Sequence, residues 1–203
     1  MSETRFSSRI LRHFVKAVEV ELGADQFSAM LALSKSPAEW ASPESFLRMD
    51  PVASASVYAS LQASLRTYYG RGARGTLLRV GQRLWNLLLE DAALGDKAQA
   101  AMIKRLPFMI RRKSVLEFLA RSIGTQSGDI TVHSLDLDLL IVDHVSPAAL
   151  AQHTLTPICF VTQGLIRGSL FWVSRQEFDV EEMTCKAMGQ DACEFKVTAG
   201  KLA

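Results

Sequence analysis

The stretch from Glu177 to Phe195, "EFDVEEMTCKAMGQDACEF", places two of the chain's three cysteines eight residues apart in what reads as a β-hairpin. Side chains two apart on a strand share a face. Phe178, Val180 and Glu182 therefore point one way, and on the returning strand Cys193, Phe195 and Val197 form a plainly apolar face. Pairing these strands drives Glu182 into the core beside Cys193. A carboxylate there is costly unless something positive meets it, and no lysine or arginine shares its parity on either strand. Cys185 has the opposite parity, so it and Glu182 face one point only if the strand bulges at Met183–Thr184. A coordinated ion would hold such a distortion in place.

The third cysteine, Cys159, follows Pro157 at the start of a predicted helix, where free backbone N–H groups and the helix dipole favour a thiolate. Three thiolates and one carboxylate make the four ligands of a structural zinc site, and soft sulfur donors favour zinc over magnesium or calcium. With four positions filled, no open site remains to activate water, and the ion would brace the fold. His153, Glu181 and Asp191 compete with Glu182 for the fourth place. An odd number of cysteines argues against a disulfide framework.

Outward from the hairpin, the rest reads as helices followed by strands. Phe6, Ile10, Phe14, Val18 and Leu22 fall at helical spacing, with Gly23 as the stop. Asp25 can cap a short second helix carrying Phe27, Met30 and Leu31. Asp50-Pro51 opens a third, with Val57, Leu61, Leu65 and Tyr68 along one stripe. Beyond "GRGARG" lies a helix with Leu77, Leu78, Leu84, Trp85, Leu88 and Leu89, then one from about Asp96 and one from Pro107 to Ile123. The period then changes to strand alternation in "DITVHSLDLDLLIVDH", with a turn or bulge near Ser134 to Asp136. "SPAALAQHTLTP" reads as a loop, "FVTQGLIRGSLFW" as a helix, and "EFDVEEMT" and "CEFKVTA" as the last strands. In the helix, Gly164 and Gly168 permit a close approach to a sheet or partner. The expected fold is one α+β domain over residues 1–203: a helical layer (1–125) on a small antiparallel sheet (126–203) that carries one helix and a zinc-braced C-terminal hairpin.

At 203 residues the chain can bury a core without staples. A net charge of +2 gives no polyanion footprint, so no nucleic-acid partner is expected. "KRLPFMIRRK" (Lys104 to Lys113) gathers five basic residues, read as a solvated face or a landing site for an anionic group. No apolar run resembles a signal peptide or a membrane span, which points to the cytoplasm, where thiols stay reduced. Gly70, Gly72 and Gly75 satisfy the G-x-G-x-x-G spacing of dinucleotide sites. That fingerprint needs a strand feeding the turn, and "SVYASLQASLRTYY" before it is helical in pattern, so a link between helices is the better account.

The pattern C…E-x-x-C-x(7)-C-x-F, preceded by "QGLIRGSLFW", resembles the 4-vinyl-reductase (hydrocarbon-binding) domain family over roughly Leu135 to Val197. "RGARGTLLRVGQRLW" agrees more loosely. Members include a bacteriochlorophyll-biosynthesis protein and the sensor domains of phenol- and xylene-responsive transcription activators, and a related fold occurs in vesicle-tethering subunits. The resemblance implies zinc held by Cys159, Glu182, Cys185 and Cys193. The sensors grip phenol with a histidine and a tryptophan, whereas Ile110 and Asp138 stand at the corresponding places here.

The resemblance also implies an apolar pocket, with Trp85, Phe108, Phe171 and Trp172 as candidate lining. For a domain standing alone it points to a tetrapyrrole precursor such as a chlorophyllide, whose propionate Arg111, Arg112 or Lys104 could meet. A carrier or accessory role in bacteriochlorophyll biosynthesis is the expected function, in a homodimer. A vinyl reductase is the alternative, although no nicotinamide, flavin or iron–sulfur motif accompanies it; an aromatic or hydrocarbon sensor is a further one.

Overall fold

In the computed structural model, which describes residues 3–198, the chain forms seven α-helices and four strands among the described residues. The helices are α1 (Ser8–Leu22), α2 (Ala24–Leu33), α3 (Pro51–Tyr69), α4 (Ala73–Glu90), α5 (Leu94–Ile103) and α6 (Phe108–Ile123). The strands β1 (Ile130–Leu135) and β2 (Asp138–Asp143) follow, then α7 (Phe160–Ser174), β3 (Asp179–Thr184) and β4 (Cys193–Thr198). The expected α+β architecture is present. Ala199, with which the last predicted strand ends, lies outside the described residues.

Local chemistry explains most boundaries. Asp50 caps α3 by accepting from the backbone N–H groups of Val52 and Ala53 at 2.8 and 3.2 Å, with Pro51 at the first turn. Gly23 ends α1 at φ 85° and is also the N-cap of α2, so Asp25 lies inside the first turn and caps nothing through its side chain. The G-x-G-x-x-G stretch is a helix-to-helix link: Gly70–Gly72 form a single 3-10 turn, and Gly75 already belongs to α4. Sequence patterning missed two 3-10 turns, Ala38–Ala41 and Pro43–Phe46, whose short lengths carry no apolar period.

The sheet is antiparallel throughout, in the order β1-β2-β4-β3. Its register aligns Asp143 with Cys193, Ile141 with Phe195 and Leu139 with Val197, while Val180 and Glu182 of β3 pair with Val197 and Phe195. These residues are all buried, so one face of the sheet is the core face. The turn between β1 and β2 lies at Asp136–Leu137, with Asp136 at φ 53°.

The close approach predicted for α7 is made to another helix, not to the sheet. A Cβ on Gly164 would stand 2.2 Å from the carbonyl oxygen of Leu78 and 2.9 Å from Cα of Gly81. A Cβ on Gly81 would stand 2.2 Å from the carbonyl oxygen of Val161, and one on Gly168 would stand 3.0 Å from Cα of Gln82. Helices α4 and α7 therefore meet backbone to backbone, and α4 also packs on α1, tying the N-terminal helices to the sheet layer. Among the described residues, no helix is long and apolar enough to cross a membrane.

Candidate metal centre and ligand groove

The bulge required by strand parity is present: the β3–β4 register shifts between Glu182 and Thr184. It turns Cys185 inward beside Glu182, and both side chains meet Cys193 from β4 and Cys159, the N-cap residue of α7. One ligand atom from each of Cys159, Glu182, Cys185 and Cys193 lies within 4.8 Å of all the others. His153, Glu181 and Asp191 are exposed, so the competition for the fourth place falls to Glu182.

The cysteines are not bonded to one another. Their sulfurs stand 3.5 Å (Cys159–Cys193) and 3.8 Å (Cys159–Cys185 and Cys185–Cys193) apart, far beyond a disulfide bond of about 2.05 Å. A tetrahedral ion with metal–sulfur bonds of about 2.3 Å spaces its thiolates by about 3.8 Å. The three sulfurs thus already occupy one face of such a tetrahedron. Glu182 completes it: Oε2 accepts from the Cys159 N–H at 2.9 Å, while Oε1 is buried without a hydrogen-bond partner. An orphaned carboxylate oxygen beside three thiols is the donor set of a metal site.

The electrostatics agree. Burial raises the Glu182 carboxyl to about 8, and the neighbouring Cys185 adds to the shift. Hydrogen bonds from Cys159 and Cys193 stabilise a thiolate on Cys185, and the same contact with Cys185 pushes Cys159 well above the usual thiol range. Cys193 is pushed up to about 12. Alone, the cluster supports about one negative charge. A divalent cation would let all four groups ionise.

Three residues around the cluster had not been singled out in the sequence. The Asp143 side chain accepts from the N–H groups of Val145 and Ser146 at 3.0 and 2.7 Å and fixes Ser146 at φ 39°. Ser146 Oγ then lies 3.1 Å from the Cys193 sulfur and 3.3 Å from that of Cys159. Asp143 itself is raised to about 6 by burial, against the pull of those N–H groups. The signal was legible as Asp-x-x-Ser before Pro147, a side chain turned back on its own backbone. Arg66 of α3 is the third. It donates to Gln152 at 2.7 Å, and although desolvation lowers its pKa, Cys159 and Cys185 hold its charge in place. No local pattern announces a residue so distant in sequence.

The candidate ligand residues gather elsewhere, around the ends of α4 and α7 and the starts of α6 and β3. Trp85 is fully buried and meets Trp172 and Phe118 edge-on. Phe108 stacks on Phe178 at 6.4 Å, and buried Arg112 lies over both rings while donating to the Leu137 carbonyl. Arg111 donates to the Lys104 carbonyl, and the Lys104 ammonium sits 3.9 Å over Trp172. Phe171 is exposed. Phe171, Trp172 and Phe178 share a groove of about 420 Å³ with Arg167, Arg175 and Glu177. Trp85 supports its floor from the core, whereas Phe108, Arg111 and Arg112 stand to one side.

Residues 142–199 match the model of the 4-vinyl-reductase domain. The family resemblance holds over this segment, which contains all four residues of the cluster. No curated protein matches the chain by sequence. Among solved structures, an H-NOX protein from S. oneidensis in an Fe(II)NO ligation state is similar at a TM-score of 0.56 and 15% identity, over 95% of this chain and 98% of that one. An H-NOX family structure used to probe heme distortion gives 0.55 and 12%, over 94% and 93%. Trafficking protein particle complex subunit 3 from Naegleria fowleri, covalently bound to palmitic acid, gives 0.50 and 21%, over 70% and 90%. At these identities the likeness is one of fold. The groove does not fit a heme held through an axial histidine: His13 bonds Asp91, His133, His144 and His153 are exposed, and none of the four lines the groove.

Proposed function

We propose that the protein is a hydrophobic-ligand module that holds a flat, acidic tetrapyrrole of the chlorophyllide type, as a carrier or accessory in bacteriochlorophyll biosynthesis. The groove carries this reading. Phe171, Trp172 and Phe178 offer ring surfaces to a planar molecule, and Arg167, Arg175 and Lys104 place cations around them for carboxylates. The macrocycle is held by its faces and acid groups, without an imidazole on its centre. The domain match and structural neighbours tied to heme and to palmitic acid support a fold suited to hydrophobic molecules.

In the same reading the ion of the Cys159–Glu182–Cys185–Cys193 cluster is zinc, because three sulfurs favour it. Bound there, it supplies a tetrahedral cross-link between the start of α7 and the β3–β4 hairpin. A homodimer acting in the cytoplasm belongs to this account; light scattering checks the dimer.

Titration with a divinyl chlorophyllide, followed by pigment absorbance and tryptophan quenching, tests the ligand. Saturable binding is expected, weakened about tenfold or more in Arg175→Glu and in Phe171→Asp. An absence of saturable binding, or equal affinity in both variants, removes the groove from the account. Adding NADPH separates carrier from enzyme, since loss of the vinyl signal would make the protein a reductase.

A further inference from the structure

The connection between α5 and α6 gathers charge and apolar surface that neither the metal cluster nor the groove uses. From Met102 to Lys113 the chain reads "MIKRLPFMIRRK", five cations without an aspartate or glutamate. Met102, Met109 and Ile110 are 68%, 48% and 55% exposed, and Leu137, in the turn between β1 and β2, is 65% exposed. Two shallow depressions flank α6. One is lined by Met102, Arg105 and Leu106, the other by Met109, Ile110, Lys113 and Leu137, and they share Ser114 and Glu117. The apolar side chains therefore form one patch around the first turns of α6.

Arg112 is buried against Phe108 and Phe178, which leaves Lys104, Arg105, Arg111 and Lys113 as the rim. The nearby acids offset it little. Glu117 reaches Lys113 only at 3.9 Å, Asp138 pairs with Lys196, and Asp136 stands in the turn beside Leu137.

We infer that this face docks the protein on an anionic bilayer surface. Protruding aliphatic side chains ringed by cations match what an interfacial segment needs. The apolar groups enter the headgroup–acyl boundary while lysine and arginine stay with the phosphates. A nucleic acid would use the cations and gain nothing from Met102, Met109 and Ile110. A folded protein partner would be met by a shaped pocket, and both depressions here are shallow. The patch borders the groove, because Lys104 lies over Trp172 and Phe108 stacks on Phe178. A membrane-dissolved ligand would thus reach the groove without crossing water. That last step rests on the proposed function, whereas the docking does not.

Sedimentation of the full chain with vesicles tests it, using phosphatidylcholine alone and phosphatidylcholine with about one third phosphatidylglycerol. Binding is expected only to the anionic vesicles and should weaken as salt rises. The double variant Arg105→Glu, Lys113→Glu should lose about tenfold or more in affinity. Ile110→Asp should also weaken binding, with metal content and helical circular dichroism unchanged in both. No binding, equal binding to neutral vesicles, or variants that bind like the parent would overturn the inference. So would capture by polyglutamate without vesicle binding, which would assign the patch to an acidic protein.

Discussion

Ser146 shows how much of the metal centre is set by residues that are not ligands. Its left-handed backbone is held by Asp143, and its hydroxyl contacts two of the three sulfurs. Partners of this kind orient ligands, and their loss typically costs tenfold to a hundredfold in metal affinity. Ser146→Ala should therefore retain its metal on purification yet release it to a competing chelator at about ten times lower chelator concentration. An unchanged competition curve would reduce Ser146 to a loop residue. At this scale the ligands were legible in the sequence, because strand parity placed Glu182 inward and demanded the bulge that brings Cys185 to it. Arg66 was not, since its position depends on how α3 packs against the loop after β2.

Between elements, the α4–α7 contact is the most demanding feature of the fold. Gly164→Ala would drive a methyl group into the Leu78 carbonyl and the Gly81 backbone, and overpacking of this kind costs roughly 1–3 kcal/mol. Gly95→Ala, in α5 with open space around it, should be neutral or stabilising by up to about 1 kcal/mol. Chemical denaturation of the two variants checks the contrast, and equal midpoints would refute the close packing. The sequence showed that Gly164 and Gly168 share a helix face but not what that face meets, since the partner glycine, Gly81, lies some eighty positions upstream.

Asp91, just past α4, joins α1 to α4. His13 and Arg9 each hydrogen-bond its carboxylate, at 2.8 and 2.9 Å, and hold it at about 2 against an ordinary 3.8. A depressed carboxylate stabilises the fold fully above about pH 4 and loses that contribution as pH falls toward 2. Asp91→Asn should thus lower the melting temperature modestly at neutral pH, the carboxylate being well exposed to solvent, with the gap to the parent closing below about pH 4. A gap independent of pH would show that the ion pairs contribute nothing.

Across the whole molecule, a helical layer is fixed to a small sheet at two places: the glycine contact and the cluster at the start of α7. The α+β class followed from the change of period after Gly124. The groove did not, because Phe171 and Trp172 read as one more apolar pair on a helix, and only the meeting of α4, α7 and β3 opens a face between them. The cluster tests the whole account most directly, since its three sulfurs already stand at tetrahedral spacing around a carboxylate with one unpaired oxygen. The decisive measurement is elemental analysis of the purified chain by plasma mass spectrometry. About one zinc per chain is the predicted result. A fully folded protein free of bound metal would contradict it.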